Sequence, residues 1–540
     1  MKRPIFFSTF AAVADLTLAS CGQKNPPGAQ GGAVEQILHL GNGSEPQDLD
    51  PQIVTGVLES RILAALMGGL TDYDPKDLHP VPNLAESWDI SPDQMTYTFH
   101  LRAARWSNGD PITAQDFVKS YHRILAPSLA AEYAYMLFVV TNAEAFNTGK
   151  ITNFDAVGFK AVDERTLQVQ LNAPTPYFLS LLTHQSWFPV HIATIEKCGP
   201  LYERGNRWTR PETFVASGPF TLAEWKQNQI VVVKKNPNFW DAATVKLQEI
   251  HFHPIESDDT EERAFRSGQL HITQTVPMTK IDVYKREHPE LIHLEPYLGV
   301  YYYRCNVTKP PLDDKRVRQA LAMSIDREGI VKSVLRAGQL PAYNFTPPNC
   351  AGYTARAHLK KDIAAAKKLL ADAGYPDGKG MPPVEILFNT SEGHKQIAEA
   401  IQQMWKVNLG VDAQLVNQEW KVYLDSQRSL NYQVSRSSWI GDYADPNTFL
   451  DLQVTDGGNN RTGWSNKEYD RLIHEAGATA DPQKRFEFFQ QAEAVLMDEV
   501  PVIPIYFYTR ADLMSTQVKG WWPNLLDVHP YKYVYLDAGK

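Results

Sequence analysis

Residues 384–416 read VEILFNTSEGHKQIAEAIQQMWKVNLGVDAQLV. Val384, Ile386 and Phe388 alternate with other residues at the period of a strand. From about His394 to Val407 the apolar residues fall at helical spacing, and Val411, Ala413, Leu415 and Val416 open a second strand. Strand, helix, strand within about thirty residues is the signature of a βαβ unit. The alternation holds through the chain after residue 310. Asp314 caps a helix carrying Val317, Ala320, Leu321 and Ile325. The segment Asp362–Ala373 ends at Gly374, a natural helix stop. Two late helices, near Lys467–Ala478 and Pro482–Met497, precede the apolar run Val500–Tyr508.

Upstream the pattern is more β-rich. Gln36–Asn42 alternates like a strand, as do Tyr97, Phe99 and Leu101, and again Leu167, Val169 and Leu171. Asn108-Gly109 supplies a tight turn, and Thr113 with Asp116 forms a capping box for the helix that follows. Ile230–Val233 reads as a short buried strand, and Ile250, Phe252 and Pro254 continue the β-rich middle. At 540 residues the chain is too long for one core, and about 150 residues per domain gives three to four domains. The reading is α/β with more than one lobe.

Composition narrows the function. With 53 Lys and Arg against 62 Asp and Glu the net charge is −9, which argues against a broad nucleic-acid footprint. No run approaches the ~18 apolar residues of a membrane span. The 12 Trp, 24 Tyr and 23 Phe supply flat, stackable surface suited to a sugar or peptide binder, though many enzymes share it. There is no G-x-S-x-G, H-E-x-x-H, Walker A or G-x-G-x-x-G, so no catalytic site and no cofactor is expected. His251 and His253, two apart on a strand, would share a face, so a metal pair is conceivable there. With no Cys or carboxylate in register, a structural or surface pair is the expectation, and no metal site is assigned.

The N-terminus has the layout of a secretory signal over residues 1–20: Lys2 and Arg3, then the apolar Pro4–Ala14, then Leu18-Ala19-Ser20-Cys21. Asp15 and Thr17 interrupt its apolar run. Small residues before Cys21 resemble a lipoprotein lipobox, in which the cysteine takes lipid; a plain cleaved signal is the other reading. Residues 21–35, rich in Gly, Pro and Gln, read as a flexible tether. Cys198, Cys305 and Cys350 remain, an odd number, so at least one thiol stays free.

Two segments carry the strongest motifs. One runs through Ala85-Glu86-Ser87-Trp88, Tyr97-Thr98-Phe99-His100-Leu101-Arg102, Trp106-Ser107-Asn108-Gly109-Asp110-Pro111 and Thr113-Ala114-Gln115-Asp116-Phe117-Val118. The other is Arg436-Ser437-Ser438-Trp439-Ile440-Gly441-Asp442-Tyr443 with Ala444-Asp445-Pro446. With Tyr301-Tyr302-Tyr303, Asn389-Thr390-Ser391 and Leu415–Lys421, in order over nearly the whole chain from residue 36, this resembles the family 5 extracytoplasmic solute-binding proteins that serve peptide ABC importers, above all the oligopeptide-binding branch. The resemblance implies a periplasmic-binding-protein type II clam-shell of two lobes with an extra domain on lobe I. Lobe I would comprise residues 36–67, 193–298 and 510–540, the extra domain 68–192 and lobe II 299–509.

The resemblance also implies a site. A carrier of many peptides relies on what all peptides share: a backbone that accepts strand addition, an ammonium and a carboxylate. Asp442 matches the aspartate that pairs with the ammonium. Arg436 matches the arginine that takes the carboxylate of a short peptide. Arg336 stands where the family has a lysine with that job, and His394 matches a histidine that meets longer peptides. Tyr133, Tyr302, Trp420, Trp439 and Tyr508 match aromatics of the cleft and its pockets, and Val57 a backbone partner. A cysteine pair near the cleft of a relative is Gly299 and Ile440 here, and two polar cleft positions are Thr55 and Gln427. The expected partners are short peptides, the transmembrane permease subunits of an importer, and the membrane through a lipid on Cys21, with the protein a monomer outside the cytoplasm that binds no nucleic acid. The rivals are a narrow binder of murein tripeptide or another small peptide, a secreted peptidase or glycosidase, and a sensor or chaperone-like lipoprotein.

Overall fold

A computed structural model describes residues 35–538. The expected signal, Cys21 and the expected tether up to residue 34 lie outside the described residues. Three sheets organise the chain. In the first, the strands run in the spatial order Ile37–Gly41, Glu249–His253, Ile230–Lys235, Phe220–Lys226. The first pair is parallel and the others antiparallel. Leu38, Val231, Val233, Ile250 and Phe252 are buried, which is what their period-2 spacing demands.

A second, antiparallel sheet has the order Ala85–Ile90, Thr96–Leu101, Thr166–Gln170, Phe159–Asp163. The helix Ala114–Leu125 packs against it, with Phe117, Tyr121, Ile124 and Leu125 buried. The capping box is present: the Thr113 N–H donates to Asp116 Oδ2 at 2.7 Å. At the Asn108-Gly109 turn, Gly109 has φ +93°, a conformation that a Cβ disfavours.

The third sheet has six strands, in the order Leu340–Pro341, Val502–Leu513, Ile292–Cys305, Val434–Ile440, Val384–Asn389, Ala413–Gln418. Its last two strands are parallel and the helix Glu392–Leu409 connects them, as the sequence of residues 384–416 predicts. Ile397, Ala398, Ile401, Trp405 and Leu409 of that helix are buried at steps of three and four. Burying each large side chain contributes about 1.5–3 kcal/mol.

The long strands Ile292–Cys305 and Val502–Leu513 link two of these bodies. At their outer ends they pair Ile292 with Leu513, and the single bridges Ile272–Met514 and Leu40–Ile272 tie this end to the first sheet. At their inner ends they form the middle of the six-stranded sheet. Their ladder is interrupted between Pro296 and Val300, opposite Thr509 and Phe507, so the hydrogen bonding is weakest where the chain passes between the sheets. The 14-residue strand was not legible in the sequence, because Tyr297 to Cys305 lacks alternation and the stretch is buried on both faces from Leu298 onwards. Cys198, Cys305 and Cys350 are all free thiols.

Candidate functional site

The strand Val434–Ile440 is paired along its full length with Ile292–Cys305 on one side. On the other side Val384–Asn389 reaches only Val434 and Ser435. From residue 436 onwards no described strand lies beside that edge. The Gly441 N–H donates to Leu298 O at 2.8 Å, so by antiparallel alternation Ser438 and Ile440 turn their N–H and C=O groups towards the open edge. Arg436, Ser438, Ile440 and Asp442 all line a cavity of about 290 Å³. An unpaired strand edge inside a cavity is a template for an extended chain.

Asp442 sits at the end of this edge and is locked from beneath. Its N–H donates to Thr448 Oγ1 at 3.1 Å, and Trp439 Nε1 donates to the same hydroxyl at 3.4 Å. Three residues on, Asp445 takes two hydrogen bonds from Arg485, at 2.7 and 2.8 Å, in a buried ion pair. Gly441 permits the close approach to the neighbouring strand, since a Cβ there would lie 2.9 Å from the Leu298 side chain. The carboxylate itself receives Tyr133 Oη at 3.4 Å on Oδ1, and His184 Nε2 is also 3.4 Å from Oδ1. The second oxygen, Oδ2, is buried without a hydrogen-bond partner among the described residues. Burial pushes the Asp442 carboxyl up to about 8 and the His184 imidazole down to about 3. Among the described residues no charged cation stands within ion-pair distance of Asp442, an arrangement that costs several kcal/mol unless a cation arrives.

Arg436 presents the opposite charge. Its Nη1 donates to Asn389 Oδ1 at 3.2 Å, and Nη2 donates to Ser438 Oγ at 3.3 Å and Tyr508 Oη at 3.1 Å. Its guanidinium lies 4.9 Å from the Tyr301 ring centre. Nε is buried without a partner, and among the described residues no carboxylate pairs with it. Gln427 is turned inwards: its amide donates to Arg436 O at 3.0 Å and to Tyr423 Oη at 2.8 Å. It supports the strand and has little to offer a ligand.

Six of the ten residues expected from the sequence line the cavity: Val57, Tyr133, Trp420, Arg436, Trp439 and Asp442. Val57 begins the helix Val57–Leu66 after the extended Gly56 and lines the same cavity as the open edge. Trp420 Nε1 donates to Glu59 Oε1 at 3.3 Å, beside Gly56. Tyr508 and His394 stand behind Arg436; the His394 ring is 5.6 Å from that of Tyr301. Burial, with Arg436 nearby, holds the His394 imidazole well below its usual range. Tyr302 is fully buried and accepts from Arg304 Nη2 at 3.0 Å. Arg336 is not brought to the cavity. It ends a short helical turn in the left-handed region (φ +63°), donates to Ser333 O and lies 3.9 Å from exposed Asp282.

Sequence reasoning missed His184, Tyr73 and Glu132. Tyr73 Oη donates to Asp442 O at 3.3 Å. Glu132, next to Tyr133, receives Arg428 Nε at 2.6 Å and also pairs with Arg461. Burial alone would raise the Glu132 carboxyl, but Arg461 and Arg428 hold it below the usual range. All three come from irregular segments or short edges with no periodic signal. Gly299 and Ile440 lie directly opposite each other across the two strands, so the places of the relative's cysteine pair are neighbours here.

Comparison with known proteins places the chain. Residues 79–461 match the family model of bacterial extracellular solute-binding proteins, family 5. This chain therefore belongs to the family 5 extracellular solute-binding proteins, with the type II binding-protein fold. It is 38% identical over 503 residues to the periplasmic oligopeptide-binding protein of Escherichia coli, covering 91% of this chain and 90% of that one. The structure of the E. coli murein tripeptide binding protein superposes with a TM-score of 0.89 at 36% identity, covering 93% and 99% of the two chains. Against the unliganded open form of that protein the score falls to 0.63, covering 93% and 98%, so the lobes here are disposed unlike those of the open form. The Haemophilus influenzae oligopeptide-binding protein in complex with RPPGFSPFR gives 0.88 at 34% identity, covering 93% and 99%.

Proposed function

We propose that this protein captures short peptides between its lobes and delivers them to the transmembrane permease of an ABC importer. One observation carries the reading: the open strand edge at Ser438 and Ile440 is flanked by two buried, unmatched charges, Arg436 and Asp442. The edge suits a peptide backbone, Asp442 an α-ammonium and Arg436 an α-carboxylate. Trp420, Trp439 and Tyr133 offer apolar and stacking surface to side chains. The peptide-binding names of the relatives support the same class of ligand. His394, Tyr508 and Tyr302 support Arg436 and the cleft wall from behind, while Val57 faces the peptide backbone.

The lobes meet, on this reading, near residues 298–299 and 509–510, where the ladder between the two long strands is interrupted. Lobe I is then residues 36–67, 193–298 and 510–540, with the extra domain at 68–192. The protein acts as a binder and not as an enzyme, since the cavity's charges are arranged to hold both peptide ends. It works outside the cytoplasm as a monomer, anchored by lipid on Cys21; the Leu18-Ala19-Ser20-Cys21 sequence supports the anchor, and no described helix is long and apolar enough to cross a membrane. Stable anchoring takes more than one acyl chain, so Cys21→Ala moves the protein to the soluble fraction.

Native mass spectrometry of the chain with a mixed peptide pool tests the reading. One intact peptide per chain is expected, with the pool uncut. Cleavage products, or no retained peptide, would contradict it.

A further inference from the structure

The first sheet carries a histidine cluster, none of whose members lines the cleft cavity. His251 and His253 share one face of the strand Glu249–His253, two residues apart. Parallel pairing sets His39, on Ile37–Gly41, directly beside His251. His39 Nδ1 lies 3.1 Å from His253 Nε2, and the ring centres of His39 and His251 are 4.7 Å apart. One nitrogen from each of the three rings falls within 4.8 Å of the others. His271 stands behind them and accepts the His39 N–H on Nδ1 at 3.0 Å, which fixes the strand beneath the His39 ring.

We propose that His39, His251 and His253 form a three-imidazole site for a divalent transition ion of the zinc class, with water as the fourth ligand. The spacing fits. Tetrahedral zinc with Zn–N distances of ~2.0–2.1 Å sets its ligand nitrogens about 3.3 Å apart, close to the His39–His253 separation, and partly exposed rings can turn to bring His251 in. The donor set is selective, because imidazole favours zinc, copper and nickel whereas calcium and magnesium take oxygen cages. An outer shell is also built: Glu249 Oε2 is 2.8 Å from His251 Nε2, the carboxylate partner that metal-bound histidines ordinarily carry. Lys234, the carboxylate's other partner at 3.1 Å, is more than half exposed and free to swing out as a dication enters.

The site would pin the first strand of the folded chain to the central strand beside it. From sequence the pair is set aside for want of a Cys or carboxylate in register, but Glu249, two residues before His251 on the same face, is such a carboxylate. His39 is 212 residues away from His251 and arrives only through the parallel pairing.

Titration of the untagged, chelator-treated full chain with Co2+ reads the site directly through the visible absorption of tetrahedral cobalt. One Co2+ per chain, displaced by Zn2+, is expected, with Zn2+ raising the Tm. His39→Gln and His253→Gln should each abolish the signal, and Glu249→Gln should weaken it about 10- to 100-fold. His79→Gln, in the exposed Asp74, Asp77, His79 group, should leave it unchanged. If the variants misfold, Zn2+ protection of His39 and His253 from carbethoxylation in the wild-type chain, mapped by mass spectrometry, gives the same reading. No stoichiometric binding, binding that survives both His→Gln changes, or no protection would overturn the proposal. Peptide binding should be indifferent to these changes, which separates failure of this site from failure of the cleft.

Discussion

Tyr133 donates its hydroxyl to Asp442 Oδ1 at 3.4 Å, while Asp442 Oδ2 is buried with no partner among the described residues. A long hydrogen bond to one oxygen does not offset the desolvation of a carboxylate. In the arrangement described here the Asp442 carboxyl is pushed up to about 8 by burial, whereas in an open cleft it would meet water and titrate at an ordinary ~4.

Closure without a peptide is therefore linked to pH. The raised carboxyl binds a proton more tightly in the closed form, so closure is favoured at low pH and lost as pH rises towards about 8. His184, pushed down to about 3, acts oppositely, but only below its ordinary ~6.5. Between about pH 6.5 and 8 the sign belongs to Asp442, with Glu59, raised to about 7 by burial, adding to it. Small-angle scattering of the peptide-free protein should show its radius of gyration growing across that window. Asp442→Asn should flatten most of the change, leaving what Glu59 contributes. Equal growth in both proteins would assign the effect elsewhere.

Arg436→Ala should weaken di- and tripeptide binding about 10- to 100-fold, or ~1.4–2.8 kcal/mol. The effect should shrink for longer peptides whose carboxylate reaches water. Arg336→Ala, by contrast, should leave every peptide unaffected, because Arg336 sits on the outer surface beside Asp282. Calorimetry on a di- to pentapeptide series reads both; a loss at Arg336 matching that at Arg436 would move the carboxylate site.

Glu132 joins Tyr133's segment to Arg428 and Arg461 on the far side of the cleft. Removing its charge leaves two arginines close together and poorly hydrated. Glu132→Gln should destabilise the closed form by about 2 kcal/mol, roughly 30-fold, and the loss should fall mainly on the dissociation rate. Stopped-flow release of a fluorescent peptide checks this. An unchanged off-rate would make the Glu132 cluster a fold contact and not a latch.

Much of the architecture was legible because it rests on local rules. The βαβ unit at 384–416, the capping box at Thr113 and the helix stop at Gly374 each announce themselves within a few residues. Arg436, Trp439 and Asp442 were legible through the motif at 436–442, and Val57, Tyr133 and Trp420 only through the whole chain's resemblance to a family; all six line the cavity. What stayed hidden depends on distant pairing. His184 joins Asp442 from 258 residues away, and Glu132 meets Arg461 across 329. Arg336 shows the converse, since a cation at a matching position is turned outwards by a left-handed helix end.

On the proposed function, Asp442 holds a peptide's α-ammonium in a cavity where its own Oδ2 is buried without a partner among the described residues. Calorimetry with one tripeptide, free and N-acetylated, against wild type and Asp442→Asn tests it most directly. Loss of one partner of a buried charged pair typically costs ~2–5 kcal/mol. The wild type should therefore reject the acetylated peptide by roughly 30-fold to several-thousand-fold, while Asp442→Asn binds the free peptide weakly and distinguishes the two forms far less. If both proteins tolerate acetylation equally, Asp442 does not hold the ammonium.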